Sequence, residues 1–247
     1  MNIRTPVPFP GLDPMYPTEI TPISELYTAG RNGTLIVFVL DESGSMNSCV
    51  SDTIGGFNGL ISKQREGTDQ CHVTLNKFNS GPKTTVFSNV DIRDPRVQLN
   101  HSNYTPGGGT ALLDALGDTI MQVNGILQGI VTANRPNVLI VVMTDGEENA
   151  SFRFSSTNVK NLVQAARAAD WTFTFLGANI DSFSIGNTLG FHSGSVLNYS
   201  TSNMAQTMDA VAGAATHYRS MRSMGLSNDQ IEAKGLYSSV DTTKIGG

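Results

Sequence analysis

Basic runs are missing from this sequence. Sixteen lysines and arginines stand against 21 aspartates and glutamates, a net charge of −5 over 247 residues. Nucleic acid is therefore not an expected partner. Long apolar runs are missing too: nowhere do the roughly 18 to 20 consecutive apolar residues needed to cross a bilayer occur. The opening stretch MNIRTPVPFPGLDPMYP has no apolar core of signal-peptide length. No membrane association and a cytoplasmic address are the resulting expectations. Cysteine is scarce, and Cys49 and Cys71 are too few and too close for a secreted disulfide framework. No CxxC or Cys/His pattern suggests zinc, and both thiols read as reduced and buried. His72, His101, His192 and His217 share no metal-like spacing.

What is present suits one large globular domain: 39% hydrophobic residues and 15% charged. Residues 1–32 hold six of the ten prolines and no sustained period, so they read as a Pro-rich N-terminal arm. Residues 33–225 form the domain. Residues 226–247, ending in GLYSSVDTTKIGG, read as a flexible tail.

Within the domain, apolar runs of strand length alternate with helical patterns. TLIVFVL, CHVTLNKF, NVLIVVM and WTFTFLGA read as strands, with a weaker SVLNYS and a hairpin partner KTTVFSNV. SDTIGGFNGLISKQRE, ALLDALGDTIMQVNGILQGI and STNVKNLVQAARAA carry apolar residues three and four apart, and a last helix is expected over about 202–224. This is βαβ punctuation. TLIVFVL and NVLIVVM are apolar on both faces and belong in the middle of a mostly parallel sheet covered by helices on each side.

Both of these strands end in an aspartate, Asp41 in DESGSM and Asp145 in TDGEEN. In an open α/β sheet, ligands bind outside the carboxyl ends of the strands. A third loop, NYTPGGGTALLDAL, brings Thr110 to the start of a helix. Asp41, Ser43 and Ser45 alternate and can curl round one point, with Gly44 supplying backbone freedom. Two carboxylates and three hydroxyls, with no nitrogen or sulfur, suit a hard divalent cation. Helix capping is the plainer reading of Asp41, Ser45 and Thr110, and the two roles can coexist. Asp114 and Asp118 read as solvated or first-turn acids.

Asp41-x-Ser43-x-Ser45, Thr110 after a glycine-rich loop, and Asp145 in TDG resemble the metal-ion-dependent adhesion site of von Willebrand factor A domains. All five positions occur in the right chain order. The resemblance runs from about Thr34 to Arg219, roughly three quarters of the chain. It implies a Rossmann-like α/β fold, doubly wound, with a mostly parallel six-stranded sheet, one antiparallel edge strand and helices on both faces. It also implies Ser43, Ser45 and Thr110 as direct ligands of Mg²⁺, with Mn²⁺ or Ca²⁺ as alternatives, and Asp41 and Asp145 acting mostly through coordinated waters. The wording of the motifs looks most like stand-alone prokaryotic and phage members.

With neutral hydroxyls in most direct positions, the cation is under-neutralised and a partner's carboxylate can complete it. The expected function is a Mg²⁺-dependent protein–protein interaction module that captures an Asp or Glu of a protein partner. Asn47, Tyr104, Glu147, Glu148 and Asn149 are candidates for the surrounding rim. A regulatory or adaptor subunit of a separate AAA+ ATPase complex is the alternative. Catalysis is not expected. A haloacid dehalogenase-type phosphotransferase needs a second aspartate where Ser43 stands, the three loops hold no lysine or arginine, and no GxxxxGK(S/T), GxSxG or HExxH motif occurs. Self-association is a further expectation, with Asp229, Glu232, Asp241 or the C-terminal carboxylate entering another copy's site.

Overall fold

A strand buried on both faces must send alternate side chains into two separate cores, and β1 (Thr34–Asp41) does so. Ile36, Phe38 and Leu40 enter one core, whereas Leu35, Val37 and Val39 enter the other. β4 (Asn137–Thr144) repeats the division, with Leu139, Val141 and Met143 on the first side and Val138, Ile140 and Val142 on the second. The structure is a computed structural model, and it describes residues 33–178 and 181–245. The expected N-terminal arm, residues 1–32, lies outside the described residues.

The remaining strands are β2 (Cys71–Phe78), β3 (Thr84–Asp91), β5 (Thr172–Ala178) and β6 (Val196–Tyr199). Six strands run in the order β3-β2-β1-β4-β5-β6, and only the β2–β3 pair is antiparallel. The two strands apolar on both faces are therefore the central neighbours. Leu40 lies opposite Met143, so Asp41 and Thr144 leave the sheet side by side.

α1 (Val50–Arg65) and the long α5 (Met204–Ser223) cover the first face. They pack closely because Gly56 faces Met208, where a Cβ would come within 2.6 Å of the methionine side chain. α2 (Leu112–Gln128) and α3 (Ser156–Ala168) cover the second face. A short α4 (Ser182–Thr188), capped by Asp181, precedes β6. No helix among the described residues is long and apolar enough to cross a membrane.

The segment expected to be a flexible tail is packed over its described part. α6 (Asn228–Lys234) opens with a capping box between Ser227 and Gln230, and Leu236, Tyr237 and Ile245 are buried in the first core. The Tyr237 hydroxyl meets Thr174 at 2.7 Å, and Ile245 accepts a backbone hydrogen bond from Ser200. Apolar burial, not chain length, decides whether such a segment frays. Glu232, one of the acids expected to reach another copy, is buried against Arg167 at 2.6 Å. Asp229 and Asp241 remain exposed, and the C-terminal carboxylate lies outside the described residues.

Candidate metal centre

The two central strands deliver their terminal aspartates to one carboxyl-side edge, and neighbouring loops hold them there. Asp41 is fully buried. One of its oxygens accepts the Ser43 amide at 2.6 Å, and the other accepts the Thr144 hydroxyl at 2.5 Å. The carboxylate is thus fixed behind the loop that follows it. Ser43 Oγ and Ser45 Oγ lie 3.0 Å apart, and Ser45 Oγ donates to Asp145 Oδ1 at 2.5 Å. Residues 100 positions apart in the chain therefore share one polar cluster.

The glycine-rich loop closes over this cluster through its backbone. Gly44 N donates to Gly108 O at 2.9 Å, and Gly107 N donates to Glu42 O at 2.9 Å. Gly108 has φ +80°, and a Cβ there would meet Ser80 Oγ at 2.5 Å, so this turn requires glycine. Thr110 follows. Its amide donates to Asn149 Oδ1 at 2.9 Å while its carbonyl accepts Asn149 N at 3.0 Å. At Gly146 a Cβ would stand 2.9 Å from Thr110 Oγ1 and 3.6 Å from Ser45 Oγ. Glycine thus lets the loops after β1, after β4 and before α2 meet at one point.

Capping does not account for these side chains. The short 3-10 turn Gly44–Cys49 has no side-chain cap bond from Ser43, and neither Cys49, the cap residue of α1, nor Ala111, that of α2, supplies one. The loop after β4 serves α2 instead: Glu148 accepts the Leu113 amide at 2.9 Å, and Ser151 Oγ accepts the Asp114 amide at 3.0 Å. Glu148 and Asn149, expected on the rim, thus hold the helix start and Thr110. Tyr104, also expected on the rim, is buried, and its hydroxyl donates to Asp41 O at 2.7 Å. Asn47, Glu147 and Asn149 are exposed as expected. Asp114 stands in the first turn of α2, one of the two places expected for it, but both it and Asp118 are buried rather than solvated, Asp118 against Arg153 at 2.7 Å.

Burial raises the Asp41 carboxyl above the usual carboxylate range, against hydrogen bonds from Thr144 and Ser43 that lower it. Burial likewise raises Asp145, against the Ser45 hydroxyl. No lysine, arginine or histidine pairs with either among the described residues. The nearby Lys77 is committed to Glu42 at 2.7 Å. Two buried carboxylates without a basic partner, beside three hydroxyls, form the donor chemistry that a hard divalent cation fits. Among the described residues no group of three or more His, Cys, Asp or Glu could hold a metal, so a cation at this centre depends on the hydroxyls beside the two carboxylates.

Thr144 escaped the sequence reading, although its place before Asp145 in VVMTDG sets it abreast of Asp41. A shallow groove lined by Gln164, Arg167, Asp170, Ser227 and Asp229 lies at the opposite edge of the sheet. Its arginine is bound to Glu232, and it shares no residue with the centre.

A family model of the von Willebrand factor type A domain matches residues 36–228. No curated protein sequence matches. Among solved structures, proximal thread matrix protein 1 of the mussel byssus is similar at 15% identity, with a TM-score of 0.56 over 74% of this chain and 46% of that one. Manganese-loaded TRAP protein of Plasmodium vivax is 19% identical over 72% of each chain, with a TM-score of 0.53. The open conformation of the pilus adhesin SpaC from Lactobacillus rhamnosus GG is 14% identical over 73% of this chain and 30% of that one, with a TM-score of 0.54. The likeness is one of fold, and the chain spans less than half of the mussel protein and less than a third of the adhesin.

Proposed function

The chain belongs to the von Willebrand factor type A domain family, and from that premise we propose that it is a divalent-cation-dependent protein-binding module, without catalytic activity, that captures an acidic side chain of a partner. The carrying observation is the pair of buried carboxylates, Asp41 and Asp145, joined to Ser43 and Ser45 with no basic side chain to neutralise them. Ser43, Ser45 and Thr110 would hold the ion by their hydroxyl oxygens, with Asp41 and Asp145 behind them. A bound Mg²⁺ or Mn²⁺ would supply a positive centre with a coordination position left for a carboxylate from outside.

The chain's own residues prepare for that role. Ser45 directs its proton to Asp145, so Ser43 is the donor between the two serines and one lone pair of Ser45 is left for another contact. Thr144 and the Ser43 amide occupy Asp41 and stop it swinging forward. Asn149 and the Gly108 turn fix Thr110 from two sides. Such positioning matters because hydroxyls are weak ligands, and a loose set would lose most of its affinity. The manganese in the Plasmodium vivax structure and the adhesive role named for SpaC support the same reading.

The test is capture on immobilised protein. A partner retained in Mg²⁺, released by EDTA and absent from Ser43→Ala and Asp145→Ala columns supports the reading. Retention that ignores EDTA and both substitutions would overturn it.

A further inference from the structure

Phe152 is 84% exposed, the most exposed large apolar side chain among the described residues. It lies on the loop after β4, three residues beyond the Asn149 that holds Thr110. An exposed phenylalanine alone is ordinary. What sets this one apart is how firmly its loop is fixed.

The buried Asp114 carboxylate accepts three consecutive amides of that loop, Phe152 N at 3.1 Å, Arg153 N at 3.0 Å and Phe154 N at 2.8 Å. Phe154 seats on α2 at Gly117, where a Cβ would come within 2.8 Å of the ring. Arg153 stacks its guanidinium 5.4 Å from the Phe154 ring centroid and binds Asp118 at 2.7 Å. Ser151, Arg153 and Phe154 are thus all engaged with α2, and Phe152 projects from a loop held at its backbone. An aromatic side chain on an anchored backbone has only two side-chain torsions left to fix on binding and presents a large apolar area, the usual make-up of an interface anchor.

We propose that Phe152 is the apolar half of a two-point docking surface, and that the partner segment carries an aliphatic or aromatic side chain within a few residues of its Asp or Glu. This inference rests on the metal-bridged reading above. It adds the chemical class of the partner's neighbouring residue and the side of the centre on which it lies. The surface excludes an acid flanked only by polar residues from tight binding. Val131, also exposed but in the turn before β4 at the other edge of the sheet, takes no part.

The test uses acetylated, amidated glycine/serine peptides with one central aspartate, and variants with leucine placed in turn at each of the flanking positions. Each is titrated by NMR against full-length protein in Mg²⁺ and in EDTA. Leucine in at least one position should tighten binding about fivefold to tenfold over the parent peptide. Phe152→Ser should abolish that gain, and Val131→Ser should retain it. Aspartate-dependent binding in Mg²⁺ that ignores leucine, or a leucine gain that survives Phe152→Ser, would overturn this inference and leave the metal reading standing. A leucine gain that needs Phe152 but persists in EDTA would overturn the metal reading instead. Absence of binding by every peptide would overturn both.

Discussion

Ser45 donates its hydroxyl proton to Asp145 across 2.5 Å, joining the loop after β1 to the end of β4. The bond ties the first motif to the last at the centre of the sheet edge. Asp41, Ser43, Ser45 and Asp145 are each hydrogen-bonded to a second group there, and Thr110 is held through its backbone by Asn149.

Gly146→Ala tests the space at that point. Its methyl group would meet Thr110 Oγ1 at 2.9 Å, a contact that forces the threonine to move. The fold should survive with a melting temperature within about 3 °C of the parent. Mg²⁺ affinity should fall at least tenfold, as read by calorimetry.

Asn149→Ala removes the acceptor for the Thr110 amide but leaves the backbone bond between the two residues. The loss should cost about 1 kcal/mol in urea unfolding. It should also weaken cation binding several-fold, although Asn149 is not itself expected to touch the ion.

The pH dependence follows from the raised carboxyls. Asp41 and Asp145 both titrate above their unfolded range because they are buried. Their contribution to stability without a cation is fully present below the unfolded value and is lost as pH rises through the folded one. A cation favours the ionised forms and offsets that loss. The rise in melting temperature on adding Mg²⁺ should therefore be largest near pH 7.5 and vanish toward about pH 4, as read by differential scanning fluorimetry. A rise of equal size at both ends would contradict this.

Tyr237→Ala tests whether the last segment belongs to the domain. Tyr237 is buried, and its hydroxyl meets Thr174 at 2.7 Å. The substitution should cost about 3 to 5 kcal/mol in urea unfolding, where a frayed tail would lose almost nothing.

Much of this was legible in the chain. After their first residues, Thr34 and Asn137, TLIVFVL and NVLIVVM are wholly apolar, so burial on both faces, and hence central places in the sheet, followed from pattern alone. Asp41 directly after the first, and Asp145 one residue beyond Thr144 after the second, break the apolar pattern at the carboxyl edge, which made the cluster there readable from DESGSM and TDG.

Other features were hidden because they depend on which loops meet in space. Glu148 looks like rim polarity until α2 is seen to need its first amides satisfied from the loop after β4, and Asn149, though exposed, also accepts the Thr110 amide. Tyr104 looks exposed in NYTPGGG, but its ring enters the core while its hydroxyl reaches Asp41 O. The packing of Leu236, Tyr237 and Ile245 could not be read from a polar stretch whose few apolar residues follow no regular period. One signal for α6 was present, the Ser227-x-x-Gln230 pattern that forms its capping box.

The central claim is most directly tested by titrating Mg²⁺ and Mn²⁺ into the cation-free full-length protein by calorimetry, beside Asp41→Ala, Ser43→Ala and Asp145→Ala. One ion should bind per chain in the parent, and each variant should lose at least tenfold in affinity while keeping a cooperative unfolding transition. Variants that bind the ion as tightly as the parent, or a parent that binds none, would contradict it.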